Sequence, residues 1–531
     1  MNKNTFTLIP DELIEKINDR VIYHFKEICK VFPRSSKNEG KMCEYLKEFA
    51  NNLIKKGLEI NFQHQSEIQE GKPINNIVLT KPASKGYENF KTVALQGHSD
   101  MVCQKNKDSI HNFDTMPISI EIDEKTNVMT SKNKETTLGA DNGIGIAYIL
   151  AVLESTDLFH PQIQGVFTSD EEDGMSGAKW LDTKIIKSDC FINLDAEEEG
   201  TLYYGCAGGT YVNIDIPADY IKKPNDMILF NLEISGLLGG HSGMAIDKGR
   251  ANANRLMGRA LNYITEDFAK INDKIYLSDI SGGNAKNAIT KEATAIIAVK
   301  DNLKDLLAEK IIEIAKIFKY EYSSLEENLS VKLIECKDKY ENILTEETLN
   351  KIITILVSFP NGVLDKHTSI KDLVETSSNL GIVQLNSNSV SFICFVRSSI
   401  ESKKQFVVKQ IELIAKSIGA DFSADTDFPE WNPDNKSKLV NLFKNTYKEC
   451  FNKEPKCESI HAGLECGYFF KKFYNSETQK SVDLIAIGPT IADVHVPQET
   501  VHIDTLKPVT KLLLNVLANI DKYDDLSNRR Y

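Results

Sequence analysis

The sequence predicts an α/β protein: a main domain with a mostly parallel central sheet flanked by helices, interrupted by an inserted α+β domain of two similar lobes. Three observations predict it. Helical and extended patterns alternate from the N-terminus. The short runs TVALQ (92–96), GVFTS (165–169) and CFINL (190–194) are apolar without alternating, as strands covered on both faces are. The middle of the chain then changes to two rounds of strands and helices, each with the character of a sheet layered by helices on one face.

The elements follow in order. DELIEKINDRVIYHFKEICKVF repeats apolar residues at helical spacing. Ser36-Lys-Asn-Glu39 matches a capping box, and the helix it opens, KMCEYLKEFANNLIKKG, stops at Gly57. INNIVLT (74–80) and TVALQ are strands, DNGIGIAYILAVLES (141–155) is an apolar, buried helix, and GVFTS and CFINL are strands again. After YYGCAGGT (203–210), the first round holds YVNIDI, MILFNLEISGL, a helix from about Lys248 to Thr265, IYLSDIS, ATAIIAVK and a helix from Lys304 to about Tyr322. The second holds LSVKLIE, a helix from about Thr345 to Val357, GIVQLN, SVSFICFVR and a helix from Lys403 to about Ile418. FPEWNPDNKS (428–437) reads as a linker, followed by a helix, the strand VDLIAIG (482–488) and a last helix from about Leu506. The domains are therefore expected at 1–206, 207–427 (the insertion) and 428–531.

Composition narrows the function classes. With 41% hydrophobic and 26% charged residues in 531, the chain reads as globular and multi-domain. A net charge of −13 excludes nucleic acid as a main partner, since phosphate binding needs clustered Lys and Arg. No membrane association is expected: no apolar run is long enough to span, and MNKNTFTLIPDELIEK lacks the apolar core of a signal peptide. A cytoplasmic location follows as an expectation. The ten cysteines contain no C-x-x-C pair and read as reduced thiols.

Five islands deliver metal-binding side chains where strands end or a helix begins: His98 and Asp100 in VALQGHSDMV, Asp141 in TTLGADNGIG, Glu171 and Glu172 in VFTSDEEDG, Asp195 in CFINLDAEEEG, and His495 in GPTIADVHVPQETVHI. In open α/β sheets, sites form outside the carboxyl ends of the strands, so ligands distant in sequence converge there. Two imidazoles and several carboxylates are the inventory for two adjacent divalent metals, which activate water at neutral pH. Each island is weak alone. H-x-D is common, an Asp at a helix start is often only an N-cap, and DEED can be a solvated turn. Together they are not. Asp100 is placed to accept the second ring N–H of His98. Of the adjacent pair, one glutamate can bind metal while the other stays free as a base. Glu197, Glu198 and Glu199 read as a solvated run, and His502 as structural.

HSDMV, GADNGIG, SDEEDGMSGA, NLDAEEEG, YYGCAGG, LLGGHSG, HAGLECGYF and GPTIADVHVPQETVHI resemble, in order and context, the cytosolic Xaa-His dipeptidases, also called aminoacyl-histidine or non-specific dipeptidases. These belong to the co-catalytic zinc peptidase clan that includes carboxypeptidase G2 and the aminoacylases. The match runs from about Pro33 to about Leu514. The resemblance implies a catalytic domain carrying a lid, and two Zn2+ ions, with Mn2+ or Co2+ able to substitute. His98 and Asp195 would hold one ion, Glu172 and His495 the other, and Asp141 both, with a cis peptide bond to Asn142. Glu171 would be the general base and acid, and Asp100 would support His98. His241, in LLGGHSG, would stabilise the oxyanion. Arg397 would bind the substrate carboxylate, with Asn287 a second polar contact and His461 near the site. Ser99 departs from the leucine common in the family, which touches packing and no ligand.

The expected reaction is metal-dependent hydrolysis of unblocked dipeptides, Xaa-His and broader. N-acyl-amino-acid deacylation or small-peptide trimming on the same scaffold is the nearest alternative, and a non-catalytic metal-binding protein is the alternative of another class. The insertion leaves two arrangements open: it serves its own subunit, or it faces the site of a partner in a homodimer.

Overall fold

The structure is a computed structural model that describes residues 6–338, 340–368, 370–434, 436–478 and 481–524. Residues 1–5, read above for a signal peptide, lie outside the described residues. The chain divides into two compact units. One holds the chain up to Gly205 with Trp431–Ser459 and Leu464 onward; the other holds Cys206–Glu430 and Ile460–Gly463.

The first unit is built on an eight-stranded sheet in the order Asn61–Gln69, Lys72–Lys81, Ile163–Thr168, Val93–His98, Cys190–Asn193, Asp483–Ala486, Thr201–Cys206 and Lys456–Ile460. Its centre is parallel: Val93–His98 pairs in parallel with Ile163–Thr168 and with Cys190–Asn193, which pairs in parallel with Asp483–Ala486. The outer hairpin Asn61–Lys81 adds antiparallel strands. Helix Ala140–Glu154 packs on Val93–His98 and Ile163–Thr168, and helix Asp11–Ile28 packs on it in turn. Held between sheet and helix, every residue from Asn142 to Leu153 is buried. Each large aliphatic side chain there contributes about 1.5–3 kcal/mol. The absence of a polar stripe in its sequence has this packing as its cause.

One local expectation fails, and one small sheet goes unread in the sequence. Ser36 does not cap a helix. Its hydroxyl donates to Asp100 Oδ2 at 2.7 Å, and the helix begins at Gly40 with no side-chain cap. Glu39, fully buried, accepts instead from the Lys37 and Asp170 amides. Tertiary partners thus take both side chains that a local box would use. The unread sheet is four-stranded and antiparallel: Ile491–Ala492, Thr500–His502, Val128–Ser131 and Ile120–Asp123. Strands of two to four residues carry too little periodicity to be read. This sheet matters, because the loop between its first two strands carries His495 and its third strand leads into the Asp141 turn.

The second unit has one nine-stranded sheet. Its main path runs Ser330–Glu335, Met227–Ser235, Ala293–Lys300, Tyr276–Gly282, Val374–Leu385, Ser389–Ser398, Gly208–Pro217 and Asp421–Phe428; Gly362–Lys366 pairs beside Val374–Leu385. Two halves of four strands and two helices meet where Ser281 and Gly282 pair with Gln384 and Val383. The halves are not the two rounds in chain order. Gly208–Pro217 lies in the later half and Ser330–Glu335 in the earlier one. A single apolar core spans both, from Val212 and Leu232 through Phe268 and Phe318 to Phe392. The helix expected from Lys248 begins at Ala253, where Asn252 caps it by accepting from the Asn254 and Arg255 amides, and it runs on to Ala269. Among the described residues no helix is long and apolar enough to cross a membrane.

Candidate active site

Strand ends of the first unit bring three of the five islands together, the start of helix Ala140–Glu154 brings Asp141, and the small antiparallel sheet brings His495. His98 is the last residue of Val93–His98 and is buried. Its Nε2 lies 2.9 Å from Asp141 Oδ1 and 3.4 Å from Asp195 Oδ1. His495 Nε2 lies 3.1 Å from Asp141 Oδ2 and 3.0 Å from Glu172 Oε2. Each oxygen of one carboxylate, Asp141, thus faces a different imidazole. Two sets of ligand atoms result, His98–Asp141–Asp195 and Asp141–Glu172–His495, each within a span of 4.8 Å. Glu171 joins His98 and Glu172 in a third set of the same size. The Asp141–Asn142 peptide bond is cis. Gly145 lets the helix start approach the end of Cys190–Asn193: a Cβ there would lie 2.4 Å from Leu194 O and 2.3 Å from Asn142 Oδ1.

Asp100, fully buried, ties the first and third islands. It lies 3.3 Å from His98 Nδ1, so this imidazole presents its other nitrogen to Asp141 and Asp195. Asp100 also accepts from the amides of Glu171 (3.0 Å) and Glu172 (3.2 Å). It therefore sets the turn from which both glutamates project.

The electrostatics ask for a cation. Burial opposes a charge on His98, but Asp195, Asp100 and Asp141 outweigh it and raise its pKa well above the ordinary value. Asp141 and Glu172 raise His495 to about 11. Asp195 is pushed up to about 6, chiefly by burial, and Glu172 is also raised by burial. Glu171 is raised well above the ordinary carboxylate value, chiefly by burial, with Glu172, Asp195 and Glu465 repelling its charge against the pull of His98. One buried oxygen of Glu172 has no hydrogen-bond partner among the described residues. Oxygen and imidazole donors crowded in this way fit divalent ions of the zinc, manganese and cobalt type.

Behind the strand ends lies Glu465, fully buried. Its Oε2 accepts from Gln96 Nε2 (2.6 Å) and Thr168 Oγ1 (2.8 Å), and burial pushes its pKa up to about 8. The sign follows by linkage. Between the ordinary value of 4.5 and about 8, the folded chain holds a proton there that the unfolded chain releases. Stability falls as pH rises across that window, and the loss is complete above about 8. Metal-stripped Glu465→Gln protein is expected to match the parent at pH 4 and to exceed it at pH 8.5 by several kcal/mol, at most about 5. Thermal unfolding at both pH values checks this; a difference independent of pH would contradict it.

In the second unit a separate polar cluster surrounds Arg397, on strand Ser389–Ser398. Arg397 is 5% exposed, and its guanidinium lies 4.1 Å over the Phe395 ring, which stacks on Tyr211. Nη2 is 3.3 Å from His241 Nε2, and Nε has no partner among the described residues. Among the described residues no carboxylate pairs with it, and burial lowers its pKa to about 10. His241 stands on the short strand Gly240–His241, exposed, with the amides of Gly243 and Met244 donating to its Nδ1. His461 is buried, accepts or donates at 2.7 Å with Ser377 Oγ, and is held to about 3 by burial and the nearby Arg397 and His241. Gly243 passes the His461 backbone so closely that a Cβ would lie 2.2 Å from its carbonyl oxygen. Asn287 is exposed, and its carbonyl accepts from Ser242 N.

Over 496 residues, 93% of this chain and 96% of the relative, the sequence is 38% identical to the cytosol non-specific dipeptidase of Escherichia coli (strain K12). The chain belongs to the cytosol non-specific dipeptidase family. Residues 232–326 match the peptidase dimerisation domain of the M20 peptidases. The solved aminoacylhistidine dipeptidase of Vibrio alginolyticus superposes with a TM-score of 0.80 at 33% identity, over 96% of this chain and 97% of that one. The aminopeptidase PepT of Bacillus cereus shares the fold alone, with a TM-score of 0.56 at 15% identity over 95% and 99%.

Membership in the family does not by itself reveal the residues that brace the site. Arg34, 2% exposed, donates to the carbonyls of Ser99, Asp100 and Gly139, and nothing in KVFPRSS marks it as buried. Glu465 was visible only as part of HAGLECG, without a role. A charged residue that bonds to distant backbone leaves no periodic signal.

Proposed function

We propose that the protein is a metallodipeptidase that hydrolyses unblocked dipeptides, Xaa-His among them, with two divalent ions held by His98, Asp141, Asp195, Glu172 and His495. The observation that carries this reading is the sharing of Asp141 between two imidazole–carboxylate sets. Residues 1–206 and 428–531 form the catalytic domain and 207–427 the lid. Zinc is the expected metal, with manganese or cobalt able to replace it.

When bound, the ions lower the pKa of water and polarise the scissile carbonyl. Glu171 takes the proton of the attacking water and passes it to the leaving amine, a double duty that fits a carboxylate whose pKa is raised. Asp100 keeps His98 in one tautomer and fixes the turn that aims Glu171. His241, whose Nδ1 accepts from the Gly243 and Met244 amides, donates from Nε2 to the oxyanion once the Arg397 guanidinium, 3.3 Å from Nε2, turns to the substrate carboxylate. Arg397 anchors the dipeptide's free carboxylate: a buried guanidinium with no counter-ion among the described residues is complementary to one. Asn287 and His461 complete the polar lining. A homodimer and a cytoplasmic location belong to the same proposal, supported by the dimerisation-domain match and by the cytosol named for the relative.

The test is a substrate panel before and after chelation. Dipeptides should turn over, tripeptides and N-acetyl amino acids should not, and chelation should abolish activity that zinc or manganese restores. Preference for N-acetyl amino acids would make the protein a deacylase, preference for tripeptides would make it a small-peptide exopeptidase, and no turnover at all would leave a metal-binding protein.

A further inference from the structure

Glu499 is 2% exposed and four residues beyond His495. Its carboxylate reaches across the chain to the turn that ends in Asp141 and accepts four consecutive backbone amides. Oε2 takes Leu138 N (2.7 Å) and Gly139 N (3.0 Å); Oε1 takes Ala140 N (2.8 Å) and Asp141 N (3.1 Å). Among the described residues Glu499 is the side chain that accepts from these four amides. The other side of the same turn is held by Arg34, which donates to Gly139 O (3.2 Å) and to Ser99 O and Asp100 O. A buried acid therefore gathers the N–H groups of the turn while a buried base gathers its carbonyl and those of the His98 island. Charge-assisted bonds of this kind are roughly twice as strong as neutral ones.

The consequence concerns spacing. Asp141 faces His98 with one oxygen and His495 with the other. Its position relative to His495 is fixed by what joins the 138–141 turn to the 493–499 loop, and beside the His495–Asp141 contact itself Glu499 joins them through four hydrogen bonds. We infer that Glu499 is a positioning residue: it locks the Asp141 turn to the His495 loop and so presets the gap between the two metal sites. This rests on the two-metal reading above. Neither Glu499 nor Arg34 touches a metal ligand's side chain in this arrangement; both act through backbone.

The experiment compares Glu499→Gln, Glu499→Asp and, as a control, Glu154→Gln, by zinc and manganese affinity in chelator competition, melting temperature, and kcat and KM on a dipeptide. Glutamine keeps one acceptor oxygen but sets an NH2 against two N–H donors; aspartate keeps the charge but loses the reach. Glu154 is a partly buried carboxylate on Arg20 and His24, away from the ligands, so its loss reports destabilisation alone. Glu499→Gln is expected to weaken metal binding at least tenfold and lower kcat by at least tenfold, with KM within about twofold. Glu499→Asp should fall between it and the parent, and it carries the same comparison should the glutamine variant not fold. Glu154→Gln should lower the melting temperature without changing metal affinity. Parent-like metal affinity in both Glu499 variants would overturn the inference. So would metal loss that merely tracks melting temperature across all three. Failure of the two-metal reading shows separately, as unaltered protein that binds fewer than two ions per chain, and the inference falls with it.

Discussion

Glu171→Ala protein is expected to keep two metals per chain and to lose about 10⁴-fold in kcat, the upper end for removal of a general acid–base group. The two halves of this result have different origins. Asp141 faces both imidazoles, and Asp195 and Glu172 each face one, so five ligand side chains survive the substitution. The proton, by contrast, loses its carrier. Glu171 is half-buried; its withdrawal from water, with Glu172, Asp195 and Glu465 repelling its charge, raises its pKa and leaves it a better base than an exposed carboxylate. Glu171 must be ionised to accept the proton, so kcat/KM in the parent falls as pH drops through its pKa, and that acid limb should vanish from the residual activity of the variant. Metal content by elemental analysis and a pH–rate profile check both. Loss of one ion would make Glu171 a ligand, since it lies within ligand reach of His98 and Glu172; unaltered turnover would remove it from the chemistry.

Arg397→Met is expected to lower kcat/KM for dipeptides by 10²–10³-fold, the effect of losing one partner of a desolvated charge pair at about 3–4 kcal/mol. The free protein should not be destabilised. Among the described residues Arg397 is a buried cation with one unpartnered nitrogen and no carboxylate beside it, so a methionine of similar length removes an uncompensated charge while keeping contact with Phe395. The specific signature is a cycle with C-terminally amidated dipeptides. The parent should lose as much on amidation as on substitution, and the variant should be nearly indifferent to it. Equal losses on amidated and free dipeptides in the variant would remove Arg397 from carboxylate binding.

Much of the fold is legible in the sequence where burial is two-sided. TVALQ, GVFTS and CFINL are parallel strands because both faces are covered, and the apolar run after Asp141 is a helix caught between sheet and helix. Ligand positions are legible for the same reason: strands of this kind end at a crevice, and the residues after them face it. Legibility ends where a side chain spends itself on a distant partner. Ser36 and Glu39 match a local capping box, yet Asp100, Lys37 and Asp170 claim them. The exchange of Gly208–Pro217 and Ser330–Glu335 between halves of the inserted sheet is a matter of pairing, which strand composition does not encode. Arg34 and Glu499 act on backbone groups about 65 to 360 residues away, and their own neighbours in sequence say nothing of it.

The most direct test of the central claim is an anomalous-scattering measurement on crystals of the zinc-loaded protein. The account predicts two peaks, one against His98 and Asp195, one against Glu172 and His495, with Asp141 touching both. A single peak, or metal bound elsewhere with these side chains bare, would contradict it.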